Sequence, residues 1–273
     1  ENIGKLILIT STGFFGPSLD CELIKNLELS RNIDRSLIHF MGCAAAINGF
    51  RLAMDYLVAH PNKIVLMASI EISSVHSTFK NNINDVIPHA IFSDGVAACV
   101  IGSKKENEVP FGTLAIIDEH SELINNTEDG ITLGINDECI TCILSKYLPK
   151  YISENIGNFI ESFLAKHNIQ INDCLGTDFF WAIHPGGKRI IEESQKSLSL
   201  NDSHVKDSWN VLENYGNMLS CSILFVLERI LKRQNNYTIN EEYEKHYKRG
   251  LAYSFSPGVG VESIMFKNIR PKG

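Results

Sequence analysis

Short apolar runs rich in β-branched residues alternate along this chain with longer stretches in which apolar positions recur every three or four residues. Residues 5–10, 63–68, 97–102 and 112–118 are of the first kind. Each is bounded by turn-forming or charged residues, and the pattern predicts buried strands. Residues 36–40 and 179–183 predict two more. Residues 44–60 carry helical spacing and stop at Pro61, and 151–167 repeat Ile and Phe at the same spacing. Residues 190–198 and 218–232 predict two further helices. Strands mixed with long helices predict a layered α/β fold. Two charged stretches interrupt the pattern: 103–109, which predicts a surface link between two structural halves, and 234–249, which predicts an exposed loop or helix.

Composition narrows the function classes. The chain has 273 residues, enough for one large domain or two small ones with a real core. Its net charge is -7 and no long basic stretch exists, which argues against nucleic-acid binding. No run of about eighteen uncharged apolar residues exists, so no membrane span is expected. The first residues read as a buried strand and not as a signal peptide. A chain that opens directly on a strand reads as an entry into the middle of a domain. Seven cysteines, mostly scattered, fit the reducing cytoplasm. The one close pair, Cys139-Ile140-Thr141-Cys142, has no second pair to complete a metal site, so no metal is expected.

Three segments carry candidate chemistry. Phe40-Met41-Gly42-Cys43-Ala44 follows a predicted strand and opens a predicted helix. Such a junction aims one side chain out of a bend and puts a thiol at a helix amino terminus. The segment alone describes a buried structural cysteine equally well. Ile183-His184-Pro185-Gly186-Gly187 ends a buried strand where α/β active sites collect, although a lone histidine is more often structural. Asn217 in Tyr215-Gly216-Asn217-Met218 stands near a helix start, where Asn commonly serves as an N-cap. Taken together, Cys, His and Asn supply an acyl-carrying nucleophile and two donors for a developing oxyanion.

These segments resemble the type III polyketide synthases, the chalcone synthase-like group, along essentially the whole chain. Ser11-Thr12-Gly13 with Pro17, Gly42-Cys43, Phe92-Ser93-Asp94-Gly95, His184-Pro185-Gly186-Gly187, Tyr215-Gly216-Asn217-Met218 and Ser256-Pro257-Gly258 carry the resemblance in order. It implies a thiolase-like layered αβαβα fold of two related halves. The remaining part of the amino-terminal half would span 1–103 and the carboxy-terminal half 104–273. It implies a homodimer, no prosthetic group, and malonyl-CoA with acyl-CoA or acyl-carrier thioesters as substrates. By it, Cys43 holds the acyl group, and His184 and Asn217 form the decarboxylation and oxyanion site. Phe92 becomes an aromatic gate, with Leu133 where a second Phe gate often stands. Glu71, Ser73 and His76 would line the cavity or position a cyclisation water. Pro257 and Gly258 would shape the cavity floor, and Gly186 and Gly187 the coenzyme A tunnel. His184 is expected to pair with the Cys43 thiolate as an imidazolium.

Departures from the family pattern leave starter and ring type open. Ser93 and Ser18 each stand for a usual Gly, Leu219 for a Ser facing the cavity, and Gly16 for a Met that commonly reaches across the dimer. The richness in Asn, Ile and Lys is compatible with the amoebal hybrid synthases, in which such a domain ends a fatty-acid-synthase-like chain. Two rival readings stand beside this one. The first is a ketoacyl synthase III-like enzyme performing a single condensation, and the second is an inactive thiolase-fold scaffold.

Overall fold

The computed structural model describes residues 2–78, 83–105, 108–109, 112–235 and 248–269. Two four-stranded sheets sandwich a pair of helices. The first sheet has the order β2-β1-β3-β4, from β1 (Ile3–Ile9), β2 (Asp34–Ile38), β3 (Ile64–Glu71) and β4 (Gly95–Gly102). The second has the order β5-β10-β9-β8, from β5 (Thr113–Leu123), β8 (Phe179–Ile183), β9 (Arg249–Ser256) and β10 (Gly260–Ile269). A separate hairpin joins β6 (Ile131–Ile135) to β7 (Ile140–Leu144).

The sheets repeat one pattern. β1 runs parallel to β3, which runs antiparallel to β4. Likewise β8 runs parallel to β9, which runs antiparallel to β10. A central helix belongs to each half: α2 (Ala45–Ala59) and α7 (Ser220–Asn235). Both are apolar enough to be buried between the sheets. Ile47, Phe50 and Ala53 of α2 and Ile223, Val226 and Ile230 of α7 meet Ile7, Ile9 and Met67 from one sheet and Phe180, Ala182 and Phe266 from the other.

Strand alternation sends the next residues to the opposite face. There Phe179, Trp181, Ile183, Leu251 and Tyr253 pack beneath α4 (Leu148–Ala165), α5 (Lys188–Ser197) and α6 (Asp202–Tyr215). On the first sheet α1 (Leu19–Asn26) packs along β1. The even positions of β4, Val96 and Val100, remain exposed among the described residues. A short helix, α3 (Ile83–Ile91), leads into β4.

The strand read at 36–40 ends at Ile38, and the one read at 112–118 extends to Leu123. Of the stretch 234–249, residues 234–235 end α7 and Arg249 opens β9, while 236–247 lie outside the described residues. Residues 106–107 of the link at 103–109 also lie outside them.

Candidate active site

The chain leaves β2 and reverses sharply before α2. Phe40 and Gly42 both adopt left-handed backbone, at φ 57 and 55. At Gly42 this conformation suits the residue, because no Cβ opposes it. At Phe40 it costs energy, and the ring is held edge-on by Phe14, with centroids 5.9 Å apart. The Gly42 N–H donates to Ser11 Oγ at 3.0 Å, pinning the bend. Gly42–Ala44 then form a 3-10 turn that runs into α2. Cys43 therefore sits at the amino end of one central helix.

Asn217 sits at the amino end of the other, α7. Gly216, at φ 70, turns the chain out of α6. The Asn217 backbone then bridges the segment after α3, donating to Ile91 O and accepting from Ser93 N, both at 2.9 Å. Ser93 Oγ adds a bond to Tyr215 O, which gives the Ser at this position a role that a glycine lacks. The Asn217 amide oxygen accepts from Leu219 N–H at 2.9 Å. Its nitrogen donates to Gly186 O at 3.2 Å and lies 3.8 Å from the Cys43 sulfur. Residues 174 positions apart thus meet.

His184 ends β8 and is buried. Neither ring nitrogen has a hydrogen-bond partner among the described residues. A buried polar atom without a partner is uncommon and calls for an explanation. Gly186 explains the close quarters: a Cβ there would stand 3.4 Å from His184 Nε2. The imidazole and the Asn217 amide therefore flank the same glycine.

Burial decides the charges. It lowers the His184 pKa to about 3, so the ring is neutral. It also raises the Cys43 thiol well above its ordinary value, with the Cys142 thiol and the Glu71 carboxyl adding to the rise and the Asn217 hydrogen bond opposing it. Both shifts oppose the charges of the thiolate–imidazolium pair expected from the sequence. Desolvation disfavours each isolated charge more than the surroundings stabilise it.

A cavity of about 690 Å³ opens beside this cluster. Of the expected residues, Phe92, Leu133, Ser73, His76 and Leu219 line it. Cys43, His184 and Asn217 are not among its lining residues, but two residues that are reach toward them. Phe92 is bridged to Asn217, and Leu133 Cδ1 comes within 3.7 Å of the Cβ position of Gly42. Pro257 is not among the lining residues either, and its Cδ is 3.5 Å from that same position. Gly258, at φ 75, donates its N–H to Ile131 O and so anchors the hairpin. Gly187 caps α5, and a Cβ there would stand 3.9 Å from Ile91 Cδ1.

Glu71 is fully buried and is not among the lining residues. Its carboxyl accepts from Ser11 N and Thr12 Oγ, both at 2.9 Å, and from Ser220 Oγ. Burial nevertheless raises its pKa to about 7 against these donors. His76 is locked: its Nδ1 accepts Ile140 N–H at 3.2 Å, which leaves Nε2–H to donate to Thr12 O at 2.6 Å.

Cys139 and Cys142 both face the cavity. Extended backbone rises about 3.3 Å per residue, so their Cα atoms stand roughly 10 Å apart, beyond disulfide reach. The short spacing in sequence is therefore not a redox pair. No group of three or more His, Cys, Asp or Glu among the described residues is arranged to hold a metal. Sequence reasoning gave no role to Ser11, Ser220 or Cys142. Small polar residues beside a buried carboxylate are a signal visible only in three dimensions.

Comparisons with known proteins identify the family. The family described as "Chalcone and stilbene synthases, N-terminal domain" matches residues 1–105, and its "C-terminal domain" counterpart matches 116–270. The mycobacterial "Alpha-pyrone synthesis polyketide synthase-like Pks18" of Mycobacterium tuberculosis is 43% identical over 269 residues, covering 98% of this chain and 66% of that protein. The crystal structure of PKS-I from the brown alga Ectocarpus siliculosus is 55% identical with a TM-score of 0.93, covering 98% of this chain and 69% of that one. The C-terminal type III polyketide synthase domain of Steely1, a type I/III hybrid from Dictyostelium, is 27% identical with a TM-score of 0.86, covering 98% and 71%. This chain spans about two thirds of the length of each. Its fold is the thiolase-like layered α/β fold, and it belongs to the chalcone and stilbene synthase family, the type III polyketide synthases.

Proposed function

We propose that this chain carries the catalytic centre of an iterative polyketide synthase, in which malonyl-CoA is condensed onto an acyl thioester held on Cys43. The observation that carries the reading is the meeting of the Cys43 sulfur with the Asn217 amide nitrogen, 3.8 Å apart, beside the unpartnered imidazole of His184.

The chemistry follows from the protonation states. An arriving acyl thioester is attacked by the Cys43 sulfur as its proton passes to His184, which leaves the acyl group on Cys43 and releases the coenzyme thiol. The proton held by His184 goes to the departing coenzyme sulfur, which leaves as the thiol, and the imidazole is neutral again. A malonyl thioester binds with its carbonyl oxygen toward His184 N–H and Asn217 Nδ2. Loss of carbon dioxide leaves an enolate, whose oxygen takes both hydrogen bonds. A neutral donor suits this step, since an imidazolium would protonate the carbanion. Phe92 on the cavity wall favours departure of a neutral molecule over retention of a carboxylate. The carbanion attacks the Cys43 acyl carbon, the bond from that carbon to the Cys43 sulfur breaks, and the product is a β-keto thioester of coenzyme A that reloads the freed Cys43 for the next round. Repetition yields a poly-β-ketone, and ring closure follows in the cavity.

Neither rival reading draws on a specific observation here. The family comparisons do not favour a single-condensation enzyme, and an inactive scaffold leaves the buried His184 nitrogens unexplained. The test is a Cys43→Ala substitution in the full-length protein, supplied with a panel of acyl-CoA starters and malonyl-CoA. Mass spectrometry is expected to find cyclised products of several extensions from the parent and none from the variant. Polyketide from the variant would defeat the reading, and a single uncyclised extension from the parent would favour the ketoacyl synthase alternative.

The starter arrives as a coenzyme A thioester or from a carrier domain, as the hybrid architecture of Steely1 invites. The seven free thiols suit the cytoplasm. A homodimer is part of the proposal: Phe14, packed on Phe40 just past the edge strand β2, and Leu37 on that strand are exposed apolar residues that a partner would cover. Equilibrium sedimentation of the full-length protein is expected to give twice the chain mass, and a monomer mass would remove this part of the proposal. No helix among the described residues is long and apolar enough to cross a membrane.

A further inference from the structure

One buried carboxylate ties together the two turns that present the reacting groups. Glu71 closes β3, and three donors from two other segments converge on it: Ser11 N–H and Thr12 Oγ–H at 2.9 Å, and Ser220 Oγ–H. Ser11 is the residue whose own Oγ accepts the Gly42 N–H at 3.0 Å, immediately before Cys43. Ser220 is the first residue of α7, directly after the Asn217–Leu219 turn whose geometry is set by Leu219 N–H on Asn217 Oδ1. Ser220 Oγ is also 2.6 Å from Ser69 Oγ on β3, two residues before Glu71. Thr12 Oγ further accepts Ile72 N–H at 2.9 Å, so the loop after β1 is clamped to the end of β3 from two sides.

We propose that Glu71 is a positioning residue that holds the Cys43 turn through Ser11 and the Asn217 turn through Ser220, setting the sulfur-to-amide distance on which condensation depends. This rests on the reading of Cys43 and Asn217 as the reacting pair. The two arms are separable in chemistry. The Ser11 arm reaches only the nucleophile's bend, and the Ser220 arm reaches only the amide that receives the enolate. Glu71 touches neither the sulfur nor the amide, and it is not among the residues that line the cavity, so its effect is indirect.

The separation supplies the test, in the full-length protein. Two rates are read: acylation of Cys43 by a short acyl-CoA in a single turnover, followed by intact mass, and decarboxylation of malonyl-CoA without a starter. Ser11→Ala is expected to slow acylation about tenfold and leave decarboxylation within twofold. Ser220→Ala is expected to do the reverse. Glu71→Ala slows both, and Glu71→Gln, which keeps an acceptor for Ser11 N–H and Thr12 Oγ–H, recovers most of the acylation rate. A purely structural role lowers melting temperature and depresses both rates together in every variant, and that result would overturn the proposal. So would Ser11→Ala and Ser220→Ala proteins in which both rates stay within twofold of the parent, which decides the matter even where Glu71→Ala does not fold. A parent protein acylated at a cysteine other than Cys43 would instead remove the catalytic reading, and is distinguishable because the modified residue is located by peptide mapping.

Discussion

At the scale of single residues, burial acts on three titratable groups and gives each a different consequence. His184 is driven to about 3 and stays a neutral donor. Burial drives Cys43 up and favours its protonated thiol. Glu71 is driven up to about 7, so its charge changes within the working range. The last shift is a statement about stability. The folded state holds the Glu71 proton more tightly than the unfolded chain, whose carboxyl titrates near its ordinary value. Between roughly pH 4.5 and 7 the unfolded chain has lost this proton while the folded protein retains it. The stabilisation from this group is therefore full at low pH and disappears as pH rises through about 7. From pH 5 to pH 8 the loss is about 2–3 kcal/mol by linkage. Glu71→Gln has no such proton. Urea unfolding of parent and variant at both pH values is expected to show the parent losing that increment relative to the variant. A stability difference independent of pH would show that Glu71 titrates normally.

At the scale of elements, the site is built where two helices begin. α2 and α7 occupy equivalent places between the sheets, and their amino ends carry Cys43 and Asn217. The close approach needed between layers is met at Gly49 of α2, where a Cβ would collide with Met67 Sδ and Ile9 Cδ1. This explains why legibility was uneven. Helices with an unbroken apolar stripe, α2, α4 and α7, were read from spacing, as were the strands β1, β3, β4, β5 and β8. β9 and β10 were not. Gly250, Ala252, Ser254 and Ser256 give β9 a buried surface of small residues with little hydrophobic signal. β10 carries Glu262 and Ser263, which look like solvent-facing residues but are buried beside partners on other elements. α6 is polar in composition because buried Asp207 meets Arg233 of α7 and buried Ser208 caps Ile183 O. The candidate site was legible at Cys43, His184 and Asn217 because each stands at a glycine-marked turn. The burial of Glu71 was not, because a residue's exposure depends on which neighbours cover it. The same holds for Cys139 and Cys142, whose spacing suggests a pair until the backbone between them is known to be extended.

At the scale of the molecule, the two halves must be held in register for Cys43 from one to meet Asn217 from the other. Apolar packing of α2 and α7 supplies attraction without direction. Arg51 supplies direction. It leaves α2 toward the second sheet and forks between Glu119 of β5 and Glu262 of β10, at 2.7 Å each. The Glu262 side chain is only 8% exposed, whereas Glu119 is 33% exposed. The two partners therefore differ in what they require of the arginine: Glu119 can return to water, and Glu262 cannot. Removing Arg51 alone strands a charge in the interface, a loss that costs about 3–5 kcal/mol for a fully buried pair and less here because Arg51 itself is partly solvated. Replacing both ends by apolar side chains of similar volume removes the stranded charge and most of the cost. Arg51→Met is accordingly expected to destabilise the protein by roughly 2–4 kcal/mol, while Arg51→Met with Glu262→Met recovers all but about 1 kcal/mol. Denaturant unfolding of the parent, both single variants and the double variant closes the cycle. If the double variant loses the sum of the single losses, the charges act independently, and the register of the two halves is then carried by shape alone.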